Sequence, residues 1–464
     1  MIVTKLRWQT TWFAWLAILI AGVQCGSEAG SVVPAGGYSD VVAALESLIE
    51  HEVRDKEISA LSIALVDGEE TVWASGFGYA DRVDSVRATA KTVYRVGSVS
   101  KLFTDIAVMQ LVERGELDLD APITQYLPEF APGNPYGTPI TLRQLMSHHS
   151  GLVREPPVGH YFDPTEPSLA QTVASLNETS LVYQPETRRK YSNAAIATVG
   201  YVLERARGEP FAGYLKRSVL QPIGMERSSF EPEPEIVAEL AQAFMWTYDG
   251  RVFEAPTFQL GMAPAGSMYS TVEDLALFMK TLLRDSATSG GRILEPETLE
   301  QMWQPQYAED GQTTGAGIGF AISSLDGRTT VGHGGAIYGF ATQLTMMPDD
   351  GLGAVVVATK DVANSVVERI ANAALRGMLS VRDGDAVAQV ETAVSLPAGR
   401  ARQLAGRYGT GDGSLVLEQR DGRLFSFATR GGFRSELRSL NGELVVDDVL
   451  DWGRRVIPLG DAVV

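Results

Sequence analysis

The spacing of apolar residues predicts helices and strands that alternate along the chain. After Ser39 the apolar positions repeat every three or four residues, the spacing of an amphipathic helix. Two strand-like runs follow, Leu61–Val66 and Glu70–Phe77, and Asp67-Gly68 between them is a typical hairpin turn. The section from Ser98 to Leu283 is mainly helical in pattern, with long Pro-rich connections.

Strand patterns return in the second half of the chain, and one amphipathic helix follows them. The predicted strands are Gly317–Ser323, Thr329–Gly332, Ala341–Met347 and Gly353–Thr359. The helix covers about Val362–Leu379. Because a helix and two strands precede the helical section, and strands and a helix follow it, we expect an α+β fold. One antiparallel sheet is flanked by helices and carries a helical insertion subdomain.

The composition changes after this helix. Residues 381–395 are polar and rich in alanine, and in residues 396–464 short apolar alternations are separated by glycines. Asp421-Gly422 and Asn441-Gly442 are further hairpin signals. The sequence therefore predicts a main domain over residues 38–380, a linker, and a small all-β, barrel-like domain at the C-terminal end.

The first 25 residues have the pattern of an export segment. Lys5 and Arg7 precede an uncharged apolar run, Trp12–Val23. Its twelve residues are fewer than the roughly 20 that a membrane-spanning helix needs, as expected for a secretory signal. We expect an exported protein, periplasmic or at the cell surface, with residues 26–37 as a linker.

Two interpretations of the export site stay open. Cys25 directly follows the apolar run, at the place where bacterial lipoproteins carry their acylated cysteine, although Gln24 departs from the usual small residue. Ser27-Glu28-Ala29 is an ordinary peptidase site instead. The first interpretation attaches the protein to a membrane through a lipid on Cys25, and the second releases it.

Charge and cysteine content exclude several classes of protein. The 464 residues include 39 Lys and Arg against 57 Asp and Glu, a net charge of −18, which disfavours a nucleic-acid partner. One cysteine cannot form an intrachain disulfide or a cysteine metal site, and the five histidines contain no H-E-x-x-H pair. We therefore expect no metal and no cofactor.

The first candidate for chemistry is Ser98-Val99-Ser100-Lys101, an S-x-x-K motif at the start of a buried helix. Residues three apart share one helix face, so the Lys101 amine can reach the Ser98 hydroxyl. A serine becomes a nucleophile when a base removes its proton, and a buried lysine with a lowered pKa can do so. By itself the motif also fits an ordinary helix start with a solvated lysine.

Two further motifs follow at a distance. Tyr191-Ser192-Asn193 opens a predicted helix, Ala194–Ala206, and supplies a tyrosine for proton transfer and an amide for substrate positioning. His333-Gly334-Gly335 lies by a strand, where the missing side chains let a substrate backbone approach. A buried Tyr with an Asn cap, and a plain turn, are the ordinary alternatives. His160 and Tyr161 either line the cleft or lie on the surface.

The order S-x-x-K, Y-x-N, H-G-G resembles the serine β-lactamase family: class C β-lactamases, D-alanyl-D-alanine carboxypeptidases and related esterases. The resemblance extends over about Tyr38–Leu379. It includes four further motifs: Thr141–Leu152 (TLRQLMSHHSGL), Gln221–Met225 (QPIGM), Pro264–Asp274 (PAGSMYSTVED) and Gly332–Phe340 (GHGGAIYGF). The segment from Leu404 to Tyr408 (LAGRY) is similar to the start of the small β-barrel that some members carry.

The resemblance implies a role for each motif. Ser98 is the acylated nucleophile, Lys101 and Tyr191 are the proton-transfer pair, and Asn193 positions the substrate. The backbone N–H groups of Ser98 and Ala336 form the oxyanion hole. The implied activity is a serine hydrolase that acts through an acyl-enzyme on a small-molecule or peptide substrate, such as a cell-wall peptide. The alternative is a catalytically silent binding or scaffold protein that keeps the fold.

One departure from the family bears on the substrate. Members that bind a carboxylate have Lys-Thr-Gly where this chain has His333-Gly334-Gly335. A histidine gains charge only below a pKa of about 6.5, and Gly334 has no hydroxyl. We therefore expect weak binding of a β-lactam or D-alanine carboxylate. This favours an ester, an amide or a D-amino-acid peptide over an antibiotic.

Overall fold

The computed structural model describes residues 37–247, 251–288, 291–409, 414–428, 434–459 and 462–463. The predicted export segment, including Cys25, lies outside these ranges. Within them, no helix has the length and apolar character that a membrane crossing requires.

Helices fill the section between the two groups of strands, and two long helices frame the main domain. They are α1 Ser39–Asp55, α2 Ser100–Glu113, α3 Leu142–Met146, α4 Leu169–Ala174, α5 Asn193–Arg207, α6 Phe211–Leu215, α7 Gln221–Ile223, α8 Pro234–Val237, α9 Ala263–Gly266, α10 Val272–Leu283, α11 Pro296–Met302 and α12 Asn364–Asp383. Short 3-10 turns cover Gly97–Val99, Ile123–Gln125, Ser175–Glu178 and Pro348–Asp350, and a π-helical turn covers Lys216–Leu220.

The strands of this part of the chain form one large sheet and several two-stranded ladders. They are β1 Ala60–Asp67, β2 Glu70–Asp81, β3 Val86–Arg87, β4 Tyr94–Arg95, β5 Phe244–Trp246, β6 Val252–Glu254, β7 Tyr269–Ser270, β8 Ala287–Thr288, β9 Gly291–Arg292, β10 Gly315–Ala316, β11 Ala321–Leu325, β12 Arg328–Ile337, β13 Phe340–Met347 and β14 Leu352–Ala358. The large sheet is antiparallel, in the order β10-β11-β12-β13-β14-β1-β2-β3. The predicted α+β fold with an antiparallel sheet is confirmed.

The sheet separates two hydrophobic cores. In β1, Leu61 and Ile63 face α1 and α12, whereas Ala60 and Ala64 face the helical section. This alternation follows the period of two along a strand. The small residues allow α2, α5 and α10 to pack closely on the side where the S-x-x-K motif lies.

Strand β12 is longer than its sequence pattern predicts. The expected strand ended at Gly332, but pairing with β13 continues from His333 opposite Leu344 to Ile337 opposite Phe340. Glycines hide the apolar alternation here because they have no side chain to place on either face. The predicted strand from Gly317 also begins later, at Ala321, because residues 317–320 form the turn between β10 and β11, in which the Gly317 amide donates to the Phe320 carbonyl at 2.8 Å.

The C-terminal part of the chain has its own six-stranded antiparallel sheet behind a short helix. Its elements are α13 Ala398–Leu404, β15 Gly406–Tyr408, β16 Leu415–Arg420, β17 Arg423–Ala428, β18 Ser435–Leu440, β19 Glu443–Asp447 and β20 Trp452–Val456, followed by a hairpin of β21 Pro458–Leu459 and β22 Ala462–Val463. The predicted turns at Asp421-Gly422 and Asn441-Gly442 are present, with positive φ at all four residues. This sheet matches the all-β part of the predicted fold class.

Buried ion pairs join this sheet to the main domain. Lys56 at the end of α1 donates to Asp447 at 2.6 Å, and Arg438 of β18 donates to Asp55 at 2.6 Å. Strand β18 has no apolar alternation because it also buries Glu436. Charged residues can be buried there because each has an opposite charge within reach.

Candidate active site

Ser98 lies in a tight turn directly before α2. Gly97 adopts a left-handed conformation, φ +53°, which costs a glycine little. The Ser100 hydroxyl donates to the Gly97 carbonyl at 2.6 Å and accepts from the Met268 amide at 3.1 Å, so the turn is held from both sides. Ser98 is 8% exposed. It lies between the start of α5 and strand β12, and the space between these elements is called the cleft below.

Lys101 is fully buried on the first turn of α2. Its Nζ lies 2.9 Å from Ser98 Oγ and donates to the Ala265 carbonyl at 2.5 Å. Burial lowers the pKa of Lys101 to about 7, against the opposing attraction of Glu155 and Asp105. A large share of the amine is therefore neutral at pH 7 and able to accept a proton.

Tyr191 reaches the same serine from the start of α5. The Ser192 hydroxyl caps this helix by accepting from the Ala195 amide at 2.9 Å, which fixes the residue before it. The Tyr191 hydroxyl donates to Ser98 Oγ at 2.8 Å. Burial raises the pKa of Tyr191, so the phenol stays protonated. The His148 ring lies against the Tyr191 ring at 4.4 Å between centres, tilted by 44°.

The edge of β12 lies against the turn that carries Ser98, called the serine turn below. Its pairing with β11 ends at Gly332, so residues 333–337 are paired only with β13 in the described ladders. A Cβ on Gly335 would lie 2.1 Å from the Val96 carbonyl oxygen, and one on Gly97 would lie 2.8 Å from the Ala336 nitrogen. This backbone contact brings the Ala336 backbone beside the turn that carries Ser98.

His333 is uncharged over a wider pH range than the sequence suggests. Burial and the neighbouring Lys101 lower its pKa to about 4, and its Nδ1 contacts the Gly334 carbonyl at 2.5 Å. The lowered pKa places the gain of charge well below the pH of about 6.5 expected from the sequence, and it keeps the ring neutral at pH 7.

Asn193 faces a carboxylate that sequence reasoning missed. Its Nδ2 donates to Glu155 Oε1 at 2.8 Å and to Oε2 at 3.1 Å. Burial raises the pKa of Glu155, while Asn193 and Arg154 oppose this effect. Glu155 belongs to the Pro-rich stretch before Tyr161, and no spacing rule connects it to a catalytic motif.

The question left open for His160 and Tyr161 has a different answer for each residue. The phenol of Tyr161 is in the cleft wall, where burial raises its pKa to about 12, and its carbonyl accepts from the Tyr338 hydroxyl. His160 Nδ1 accepts from the Phe162 amide, in an exposed turn. In the part of the chain that the structure describes, no group of three or more His, Cys, Asp or Glu side chains has the arrangement of a metal site.

A serine held by a buried lysine and a tyrosine, between a helical section and an antiparallel sheet, defines the penicillin-recognising class of serine hydrolases. The sequence model of the Beta-lactamase family matches residues 45–377, and the chain belongs to that family. It is a serine hydrolase, related to carboxypeptidases and penicillin-binding proteins.

Curated relatives match over different shares of their length. Beta-lactamase-like protein 2 of Dictyostelium discoideum is 29% identical over 315 residues, which are 65% of this chain but only 56% of that protein. The D-alanyl-D-alanine-carboxypeptidase/endopeptidase AmpH of Escherichia coli (strain K12) is 26% identical over 362 residues, 74% of this chain and 91% of that protein.

A solved structure matches the fold over most of the chain. The octameric penicillin-binding protein homologue from Pyrococcus abyssi superposes with a TM-score of 0.68 at 24% identity, and covers 89% of this chain and 95% of its own.

Proposed function

We propose that this protein is an exported serine hydrolase that forms an acyl-enzyme on Ser98 with an ester, an amide or a D-amino-acid peptide. The observation that carries the proposal is the convergence of Lys101 Nζ and the Tyr191 hydroxyl on Ser98 Oγ, at 2.9 and 2.8 Å. A binding protein has no need of a buried lysine with a pKa of about 7 at this position.

In the acylation step, neutral Lys101 takes the proton of Ser98 as Oγ attacks the substrate carbonyl carbon. Lys101 is the better base of the pair, since the pKa of Tyr191 is raised and its phenol donates rather than accepts. The carbonyl oxygen gains negative charge between the N–H groups of Ser98 and Ala336. Each such donor typically contributes about 3–4 kcal/mol to transition-state stabilisation.

The leaving group then departs with a proton, and water completes the cycle. Tyr191 gives its proton to the leaving oxygen or nitrogen and recovers the one that Lys101 took from Ser98, since Oγ is esterified at this stage and carries no proton. A water molecule attacks the acyl carbonyl, passes its proton to the same pair of groups, and frees Ser98. No cofactor enters this scheme.

The substrate class follows from the charges around the serine. His333 is neutral at pH 7, and Gly334 has no hydroxyl, so this strand offers a carboxylate neither a permanent cation nor a hydroxyl. Hydrolysis of β-lactams is therefore a secondary activity at most. The relatives named for D-alanyl-D-alanine cleavage support a peptide or amide substrate.

A serine-directed fluorescent phosphonate tests the proposal. We expect one label, on the peptide that contains Ser98, and none on the Ser98→Ala variant with an unchanged circular dichroism spectrum. A panel of short-chain esters, D-amino-acid anilides and nitrocefin then identifies the substrate class. An unlabelled Ser98 in folded protein contradicts the hydrolase and favours the silent scaffold.

Export is a separate part of the proposal. It rests on the basic residues and the apolar run before Cys25, which lie outside the described residues. In a bacterial host, radiolabelled palmitate should enter the protein and should not enter the Cys25→Ser variant. An unlabelled protein with a mature N-terminus at Gly30 indicates ordinary secretion instead.

A further inference from the structure

The side chain of Asn193 has its hydrogen-bond donor engaged and its acceptor unused. A carboxylate only accepts, so the Nδ2 of Asn193 must face Glu155, and Oδ1 is the unpaired end of the same amide group. Asn193 is 1% exposed, and its Oδ1 is buried with no hydrogen-bond partner in the described part of the chain. A buried acceptor without a donor costs free energy, which a ligand that donates to it would recover.

Glu155 lies beside Asn193, near the reacting groups, and is partly exposed to solvent. Its carboxylate interacts electrostatically with Lys101 and with the phenols of Tyr191, Tyr161 and Tyr338, so it lies within electrostatic range of the reacting groups. Its side chain is 28% exposed. The carboxylate is thus both near the reacting groups and reachable from solvent.

The cations near Glu155 only partly neutralise it. Arg154 Nε donates to Oε1 at 3.1 Å, but its side chain is 58% exposed and the pair is weakened by water. Among the hydrogen bonds of the described residues, Oε2 accepts only from Asn193. With a pKa of about 7, only about half of Lys101 carries a charge at pH 7.

We propose that Asn193 Oδ1 and the Glu155 carboxylate bind a protonated amine on the acyl side of the substrate. Two acceptors, one of them charged, fit an ammonium group with three N–H donors, and they repel a carboxylate. The substrate class is then an amide or ester whose acyl group carries a free amine close to the scissile carbonyl. This inference rests on the proposed function, because it assigns the acyl side of the same site.

Acetylation of the amine is the direct test. It removes the positive charge and two donors while the scissile bond stays the same. The substrates are D- and L-alanine p-nitroanilide and their N-acetyl derivatives, measured at pH 7. Since charge-assisted hydrogen bonds are about twice as strong as neutral ones, we expect kcat/KM to be roughly thirtyfold higher for the better free amine than for its acetylated form.

Two variants show whether Glu155 causes the preference for the free amine. Glu155→Gln keeps the shape and removes the charge, and it should reduce the ratio of free to acetylated substrate to within about threefold. Glu50→Gln makes the same change on an exposed position of α1, on the opposite side of the sheet, and should leave the ratio as it is. An unchanged ratio in Glu155→Gln overturns the assignment.

A labelling competition covers the case in which neither anilide is hydrolysed. The free amide of D-alanine should slow phosphonate labelling of Ser98 more than its N-acetyl form does. If Ser98 is labelled but the acetylated compounds are the better substrates or protectors, or neither protects, the amine site is wrong and the serine hydrolase stands. If Ser98 is not labelled at all, the proposed function itself fails.

Discussion

Lys101 Nζ lies 5.0 Å from the centre of the Tyr191 ring, and both side chains end on the same atom, Ser98 Oγ. The two groups approach the serine from different helices: the start of α2 holds the lysine, and the start of α5 holds the tyrosine. The hydroxyl therefore has one neighbour that can accept a proton and one that can donate it. The following predictions start from this pairing.

The first prediction concerns the cooperation of the two groups. Lys101→Ala and Tyr191→Phe should each lower kcat by about 10³-fold or more, and the double variant should be scarcely slower, because groups that act as a unit lose their effect together. Steady-state rates on the best substrate give all four values. Losses that multiply in the double variant contradict a shared proton relay.

The pH dependence of the reaction should report the ionisation of Lys101. The base acts only when it is unprotonated, so kcat/KM should rise with pH through a pKa of about 7 and then level off. The measurement is a profile from pH 5.5 to 9 with a substrate that has no ionising group in this range. A flat profile down to pH 5.5 rules out Lys101 as the base.

Lys101 should also make stability depend on pH. Its pKa is 10.5 in the unfolded chain and about 7 in the folded protein, so between these values the unfolded chain holds a proton that the folded protein has lost. The free energy of unfolding therefore rises with pH in this window, by at most about 1.4 kcal/mol per pH unit. Urea unfolding should show wild type gaining about 2 kcal/mol relative to Lys101→Met between pH 7 and 9.

Alanine substitutions at the adjacent glycines Gly334 and Gly335 should lower activity to very different extents. In Gly335→Ala the new methyl group would lie 2.1 Å from the Val96 carbonyl oxygen, which forces strand and serine turn apart. We expect a loss of at least about 100-fold in kcat/KM, since positioning of the oxyanion donors is lost. In Gly334→Ala the nearest atom is the end of the Gln343 side chain at 3.1 Å, and the loss should be several times smaller. Equal losses contradict the backbone contact.

The last prediction concerns carboxylate-bearing substrates. The double change His333→Lys with Gly334→Thr supplies a permanent cation and a hydroxyl. It should raise the nitrocefin-to-ester ratio of kcat/KM by about 10- to 100-fold. In wild type this ratio should stay level from pH 8 to 5.5, because His333 gains charge only near its pKa of about 4. Nitrocefin turnover by wild type that equals its best ester refutes this account.

Local residue spacing predicted the main helices and strands and the catalytic motifs, but not the residues that surround the catalytic serine. The serine and lysine three residues apart follow from the period of a helix, and the sheet follows from the strand-like apolar runs of β1, β2 and β14. Glu155 could not be found this way, because its position depends on how a Pro-rich loop packs on α5. The lowered pKa of Lys101 likewise depends on burial by residues such as Ala265, which is distant in sequence. Strand β18 was not predicted because it buries charged side chains: Arg438 pairs with Asp55 of α1 and with Glu436 of the same strand.

The backbone contact of Gly97 and Gly335 has a consequence for the evolution of new activities. The turn and β12 meet main chain to main chain, since the atoms nearest to a Cβ on either glycine all belong to the backbone. Glu155, Tyr161 and His333 can therefore be randomised together while the donors stay in place. A library restricted to these three positions, with both glycines kept, should retain many active members. Changes in substrate choice can then be selected without loss of catalytic activity.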